Sequence, residues 1–305
     1  MNEGVHGFPE RLRERLKSPE ARIAVTGAGG FVGRTLCAML GDKAAPLTHQ
    51  EVDITDAEGV RRALKDPHLV ALVNAAAHAD VDFCENNPEE ARRVNVLGPA
   101  LLARECAHRG LPFVHISTDY VFPGDRREVF RENDPRRPVN VYGRTKAEGE
   151  EKVLENNPRS IIARTAWVYG RGGRGFGSRV GIRLAAGEHV TSIHDRHGHP
   201  TYVRDLAWRI IELLDCGKGG IFHAVNGGPT SWYAFSKRFA MRLGLDSSAV
   251  EPVSRHDLPP AAPRPHHIAL SQAAVTALGL SPLRSWEHAQ DAFIRELVAA
   301  GGRVE

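Results

Sequence analysis

Along the first two-thirds of the chain, short unbroken apolar runs alternate with stretches of helical spacing. Arg22-Ile23-Ala24-Val25-Thr26, Leu69 to Asn74, Phe113-Val114-His115-Ile116-Ser117 and Ser160 to Thr165 read as strands. The run from Leu69 is apolar almost throughout, as a strand covered on both faces should be. Phe31 to Leu40, Pro88 to Ala107 and Val141 to Asn156 read as helices between them. This rhythm predicts parallel βα units, and so an α/β fold with a doubly wound parallel sheet.

After Gly170 the pattern changes. Arg171 to Gly175 is a basic, glycine-rich loop, Tyr202 to Leu214 is helical and Gly220 to Val225 is a further strand candidate. From Asn226 onward, prolines at 229, 252, 259, 260, 263 and 265 interrupt the chain, and Ser285 to Ala299 closes it as a helix. The expected division is a sheet domain at 20–170 and 201–225, with a smaller C-terminal lobe at 171–200 and 226–305.

Composition narrows the class. A length of 305 residues suits one large domain or a domain with a smaller lobe. Hydrophobic residues at 42% and charged residues at 25% exclude a disordered chain. Lys+Arg at 40 against Asp+Glu at 37 leaves a net charge of +3, which gives no nucleic-acid or membrane signal. No stretch approaches the roughly 18 apolar residues of a membrane-spanning helix. Cys37, Cys84, Cys106 and Cys216 have no CxxC spacing, and residues 1–20 lack the apolar centre of a secretory signal. A cytoplasmic protein is expected, and a homodimer is left open.

Gly27-Ala28-Gly29-Gly30-Phe31-Val32-Gly33 joins the first strand to the first helix. Glycines at 27, 30 and 33 suit a tight turn, a backbone that a pyrophosphate can approach, and close helix–strand packing. Free N–H groups at the helix start then face the phosphate charge. The loop predicts dinucleotide binding. The choice of dinucleotide turns on the end of the next strand, Leu47-Thr48-His49-Gln50-Glu51. A carboxylate there would bind a ribose diol and favour NAD(H), but His49 sits nearer the expected place than Glu51. Arg34 is a candidate for a 2′-phosphate or a solvated helix residue. NADP(H) is favoured, with NAD(H) as the alternative.

Tyr142-Gly143-Arg144-Thr145-Lys146 sets a phenol and an ammonium at i and i+4, on one face of a helix. An ammonium nearby favours phenolate, which brings a phenol with an ordinary pKa of about 10 closer to proton exchange near neutrality. Such a Tyr hands a proton to a carbonyl oxygen as hydride reaches its carbon. Ser117-Thr118-Asp119-Tyr120 ends a strand, where ligands of doubly wound sheets bind, so Thr118 is a hydrogen-bond donor to the same oxygen. The strand end Asn74-Ala75-Ala76-Ala77 leaves room for a ring or ribose.

Together these stretches resemble the extended short-chain dehydrogenase/reductase superfamily, and within it the dTDP-4-dehydrorhamnose reductase family. The likeness rests on GAGGFVG (27–33), DITD (53–56), VNAAAHADVDFCE (73–85), HISTDYVFPG (115–124), YGRTKAEGE (142–150), RTAWVYG (164–170), GHPT (198–201) and TSWYAFSK (230–237). It implies a Rossmann-type sheet and NAD(P)H-dependent reduction of the C4 keto group of a dTDP-linked 4-keto-6-deoxyhexose. It implies Tyr142 as proton donor, Lys146 as the residue that holds the nicotinamide ribose and tunes Tyr142, and Asn95 as the superfamily's helix asparagine, holding a water. Gly29, Gly30, Phe31, Asp53, Ile54, Ala75, Ala76 and Ala77 match cofactor positions, with Val32 alongside them in the loop. Asp119 and Trp167 match positions facing the sugar, and the loop 194–201 borders its cleft, which makes His199 and Thr201 substrate candidates. Arg264, between two prolines, is a candidate for the sugar-nucleotide pyrophosphate or a surface arginine. Some 21 residues precede the first strand, unlike the family.

The alternatives are an NADP-binding regulatory subunit of the methionine adenosyltransferase type, or epimerase or dehydratase chemistry with Asp119 as an extra acid or base. His194, His197 and His199 cluster without metal-ligand spacing, so no metal is expected.

Overall fold

The structure, a computed structural model, describes residues 7–258 and 262–299. Pro259, Pro260 and residues 300–305 of the expected lobe lie outside the described residues.

In chain order the first part comprises α1 (Glu10–Arg15), β1 (Arg22–Thr26), α2 (Phe31–Leu40), β2 (Ala44–Leu47), α3 (Ala57–Ala63), β3 (Leu69–Asn74), α4 (Val81–Asn86), α5 (Pro88–Arg92), α6 (Gly98–Arg109), β4 (Phe113–Thr118), β5 (Asp125–Phe130), α7 (Val141–Asn156) and β6 (Ile161–Thr165). It continues with β7 (Val168–Tyr169), α8 (Phe176–Ala185), β8 (Val190–Ile193), β9 (His197–Gly198), β10 (Thr201–Tyr202), α9 (Val203–Cys216), β11 (Gly220–His223), β12 (Thr230–Ser231), α10 (Trp232–Arg242), β13 (Val250–Val253), β14 (His267–Leu270), α11 (Ala273–Ala277) and α12 (Trp286–Ala299).

Six strands form one parallel sheet in the order β11-β6-β4-β3-β1-β2. The chain runs from β1 outward to β2 and then returns across β1 to β3. The order therefore reverses between β1 and β3, and their carboxyl ends flank the crevice where such sheets bind ligands. Alternation along β1 explains its apolar sequence. Ile23 and Val25 join the cluster under α2 and α9, whereas Ala24 joins the one that includes Leu102 and Cys106 of α6. The α1 segment ahead of the sheet packs on α9, with Leu12 and Leu16 in the first cluster and the Leu12 N–H donating to Asp215 at 2.6 Å.

A second core gathers α8, α10 and α12 around Tyr169, Phe235, Phe239 and Phe293. Tyr169 meets Phe235 edge-on at 5.0 Å and Phe293 at 5.5 Å. Trp232 and Tyr233, read from sequence as lobe residues, pack against this core. A four-stranded sheet, β12-β9-β14-β5, pairs 125–130 with 267–270.

The helix expected over 88–107 is interrupted. A π turn over Arg93–Leu97 separates α5 from α6. Gly149 of α7 explains the close fit there: a Cβ on it would lie 2.2 Å from the Asn95 carbonyl oxygen.

Candidate active site

The glycine loop lies between the ends of β1 and β3. Gly27 turns at φ 69°, and a Cβ there would stand 2.6 Å from the Ala76 nitrogen, so glycine is needed for the two loops to touch. A Cβ on Gly33 would lie 2.1 Å from the Gly27 oxygen, so this glycine lets α2 pack on the loop. Gly29 meets only a Thr48 methyl at 4.0 Å. α2 begins at Gly30 with no side-chain cap, which leaves its first N–H groups for an anion. Gly27, Gly29, Gly30, His49, Asp53, Ile54, Ala75, Ala76 and Ala77 line a cavity of about 400 Å³.

The other loop residues act differently from expectation. Phe31 packs against Gly170 and Gly173, and the side chain of Val32 lies among the two apolar clusters. Val32 therefore offers the cavity a backbone N–H at most. Arg34, read as a partner for a 2′-phosphate, instead donates to the carbonyls of Gly29 at 3.1 Å and Gly172 at 3.2 Å. At the β2 end, Glu51 folds back to accept from the Thr48 N–H at 2.5 Å. The carboxylate that would chelate a ribose diol is thus engaged within its own turn. Asp53 accepts from the Thr55 N–H and hydroxyl at 2.9 and 2.8 Å, which holds its carboxyl below the usual range.

Thr118 and Tyr142 meet at the end of β4. Burial pushes the Tyr142 phenol well up, and the neighbouring Thr118 hydroxyl opposes this. The Thr118 hydroxyl also lies 3.1 Å from Asp119 Oδ1 as donor and accepts from the Tyr120 N–H at 3.2 Å. Asp119 is 2% exposed, and burial pushes its carboxyl up to about 7. Tyr120 stands edge-on to Tyr142 with ring centres 5.7 Å apart.

Lys146, one turn along α7, is buried beneath this pair. Its amine donates to the Ile116 carbonyl at 2.7 Å and lies 3.1 Å from His115 Nε2. His115 Nδ1 is 2.9 Å from the Asn74 amide nitrogen. One further turn along, Glu150 is held by Arg164 at 2.8 and 2.7 Å, by Arg136 at 3.2 Å and by the Ser117 hydroxyl at 2.5 Å. The expected influence of Lys146 on the phenol does not lead here; burial does. Sequence reasoning missed His115 and Glu150 as site residues, although Glu150 follows Lys146 at the same i, i+4 step.

Asn95, expected to hold a water, spends its amide on protein. Its oxygen accepts from the His78 N–H at 2.9 Å, and its nitrogen donates to the His78 carbonyl at 3.0 Å and the Thr145 hydroxyl at 3.1 Å. It is a positioning residue, pinning the loop after β3 to α7.

His199 and Thr201, expected at the sugar, are engaged within the protein instead. His199 Nδ1 lies 2.9 Å from the Asn226 carbonyl and its Nε2 accepts from the Leu270 N–H at 2.9 Å, so both ring nitrogens are used. Burial brings its pKa down to about 4. The Thr201 hydroxyl donates to the His199 carbonyl at 3.2 Å and is fully buried. These residues tie β9, β10 and β14 together. Trp167 adopts φ 44° and stacks on Trp232 at 4.2 Å, a conformation costing about 1–3 kcal/mol for a non-glycine residue.

Arg264 forms a fork on Asp82 at 2.6 and 2.8 Å. It lines a cavity of about 360 Å³ with Arg196, Arg255, His256 and His266. The Nε atoms of Arg196 and Arg255 are buried and have no hydrogen-bond partner among the described residues. Arg196 and Arg264 both act on the Tyr120 phenol, which ties this basic pocket to the Tyr142 side of the molecule.

Residues 21–299 match the family model described as the RmlD substrate binding domain. The chain belongs to this family. As an RmlD-family member it is 40% identical over 298 residues to dTDP-4-dehydrorhamnose reductase of Mycolicibacterium smegmatis, covering 95% of this chain and 90% of that protein. It is 38% identical over 284 residues to a probable dTDP-4,6-dihydroxy-2-methyloxan-3-one 4-ketoreductase of Streptomyces antibioticus, covering 92% and 96%. The crystal structure of dTDP-4-dehydrorhamnose reductase from Bacillus anthracis in complex with NADP superposes with a TM-score of 0.86 at 32% identity, covering 90% of this chain and 99% of that one.

Proposed function

We propose that the protein is an NADPH-dependent reductase of the C4 keto group of a dTDP-linked 4-keto-6-deoxyhexose. The observation that carries this reading is the placement of Thr118 at the end of β4, with Tyr142 opening α7 nearby, on the strand next to β3, whose end walls the glycine-lined crevice at the sheet's switch point. When bound in that crevice, NADPH supplies the hydride. The residues present suit it: the uncapped start of α2 takes the pyrophosphate, the small Ala75, Ala76 and Ala77 leave room beside it, and the engaged Glu51 does not exclude a 2′-phosphate.

Tyr142 donates its proton to the carbonyl oxygen, and Thr118 orients that oxygen. Asp119 and Trp167 flank the sugar. Arg264, with Arg196 and Arg255, binds the diphosphate, whose two charges match a pocket of guanidinium groups. All three arginines fall in the lobe formed by 171–200 and 226–305, so the lobe carries the sugar nucleotide. Residues 20–170 and 201–225 carry the cofactor.

Tyr142→Phe tests the assignment. Turnover, followed by loss of NADPH absorbance with the keto-sugar, should fall by about 10²–10⁴-fold while NADPH affinity stays near that of the wild type. Near-normal turnover would overturn the role. Absence of NADPH oxidation by the wild type, with tight co-purification of another protein, would favour a regulatory subunit instead.

A further inference from the structure

The segment from Ala262 to His267 lies across three parts of the sheet domain. At its start the Ala262 N–H donates to Asp82 Oδ1 at 3.0 Å, and Arg264 grips both oxygens of the same carboxylate on α4. In its middle the Pro263 carbonyl accepts from the Asn140 amide at 2.8 Å. At its end the His266 and His267 N–H groups donate to the Gly124 carbonyl at 3.3 and 3.1 Å. The sequence makes this segment stiff. Each proline fixes its own φ and restricts the residue before it, so every position from Ala262 to Pro265 is held extended. A stiff segment passes on a displacement that a flexible one would absorb.

Asn140 joins the segment to the helix that carries Tyr142. Its Oδ1 caps α7 by accepting from the Gly143 N–H at 2.8 Å. A backbone N–H only donates, so this bond fixes which way the amide faces and turns Nδ2 to Pro263. Asn140 is fully buried, and Tyr142 is the second residue of α7. One amide therefore ties the start of that helix to the residue next to Arg264.

We propose that Asn140 and Asp82 are positioning residues that couple the basic pocket to the first turn of α7: a diphosphate settling on Arg196, Arg255 and Arg264 seats the 262–265 segment and, through Asn140, fixes the turn bearing Tyr142. This rests on the reading that the pocket takes the diphosphate of the sugar nucleotide. Binding energy gained far from the keto group is then used to place the group that protonates it.

The pocket is short of negative charge until such a ligand arrives. Asp82 answers Arg264, and Asp195 lies 3.6 Å from Arg255. Arg196 is held below its ordinary range by burial, and the charges of Arg264 and Arg255 add to this. An anion relieves that repulsion and lets the segment settle. Arg264 can serve both ends. Its bonds to Asp82 and to the Ala262 carbonyl use three of the five N–H groups of a guanidinium, which leaves two for a phosphate oxygen.

The test is amide hydrogen exchange over Gly143 to Lys146 in the intact protein, with and without dTDP. In the wild type dTDP should slow this exchange by about five-fold or more. Asn140→Asp keeps an oxygen for the Gly143 N–H and loses the donor to Pro263. It should still bind dTDP, but the slowing should vanish. Its kcat should fall by about ten-fold or more while NADPH affinity and the denaturant midpoint stay near those of the wild type. Asp82→Asn, which breaks the grip on Arg264, should shrink the slowing too. Exchange in the wild type that dTDP leaves unchanged overturns the proposal, and so does a failure of the wild type to bind dTDP. A wild-type response in either folded variant also overturns it. Should Asn140→Asp not fold, Asp82→Asn decides; should neither fold, the wild-type response does. Failure of the reductase reading would look different: dTDP would slow the exchange, yet the wild type would oxidise no NADPH with the keto-sugar.

Discussion

The carbonyl oxygen of Tyr120 stands 2.2 Å from where a Cβ on Gly143 would be. The residue after the site tyrosine is therefore glycine because the end of β4 is pressed against the first turn of α7. Gly143→Ala should push these elements apart, destabilise by about 1–3 kcal/mol and lower kcat by misplacing Tyr142 relative to Thr118. Urea unfolding together with kinetics checks this; an alanine variant of wild-type stability and kcat would contradict it.

Asp119 titrates near neutrality, at about 7, and lies 3.1 Å from the Thr118 hydroxyl. Once ionised, it holds the hydroxyl proton that Thr118 would otherwise offer to a keto oxygen. Activity should therefore fall as pH rises through about 7, and Asp119→Asn should flatten that limb. The kcat/KM profile against pH decides, and an inflection that survives in Asp119→Asn would point to another group.

Glu150 and Arg164 are both almost wholly buried and joined at 2.8 and 2.7 Å. Glu150→Gln leaves the Arg164 charge without its counter-ion, and stability should drop by about 3–5 kcal/mol. A shift in denaturant midpoint worth less than about 1 kcal/mol would show that Arg164 finds another partner.

His199 and His223 are buried as neutral rings, with burial bringing them down to about 4 and about 3 from an ordinary value of 6.5. Their contribution to stability is complete above 6.5 and is lost as pH falls towards 4 and 3, because the unfolded chain takes the proton first. Asp119 acts in the opposite sense over the range 3.8 to 7, its folded value being raised. The clean measurement is the difference: His199→Gln should lose less stability than the wild type between about pH 7 and pH 5. Equal losses by thermal unfolding would rule out His199 as a contributor.

Local chemistry was legible in the sequence. Arg22–Thr26 and Leu69–Asn74 form strands as read, since cover on both faces demands continuous apolar runs. Phe31–Leu40 and Val141–Asn156 likewise match their periodicity. Pairings distant along the chain were not legible. Nothing near 125–130 announces a partner at 267–270, because that match is made by tertiary contact. The helix Phe176–Ala185 hid behind its glycine-rich approach. Within the site, the residue types at 118, 142 and 146 declared themselves, whereas the occupation of His199 by two backbone groups exists only once β9 and β14 are side by side.

The π turn at Arg93–Leu97 fits one more residue into a helical circuit than an α-helix allows. Shortening that segment by one residue would tidy the backbone into an uninterrupted rod and swing everything before the cut by about 100° relative to everything after it. The Asn95 amide would then leave His78 and Thr145, and the wall of the dinucleotide crevice would lose its tether to the helix bearing Tyr142. Irregularity here is a spacer: it lets two faces of one helix keep separate appointments.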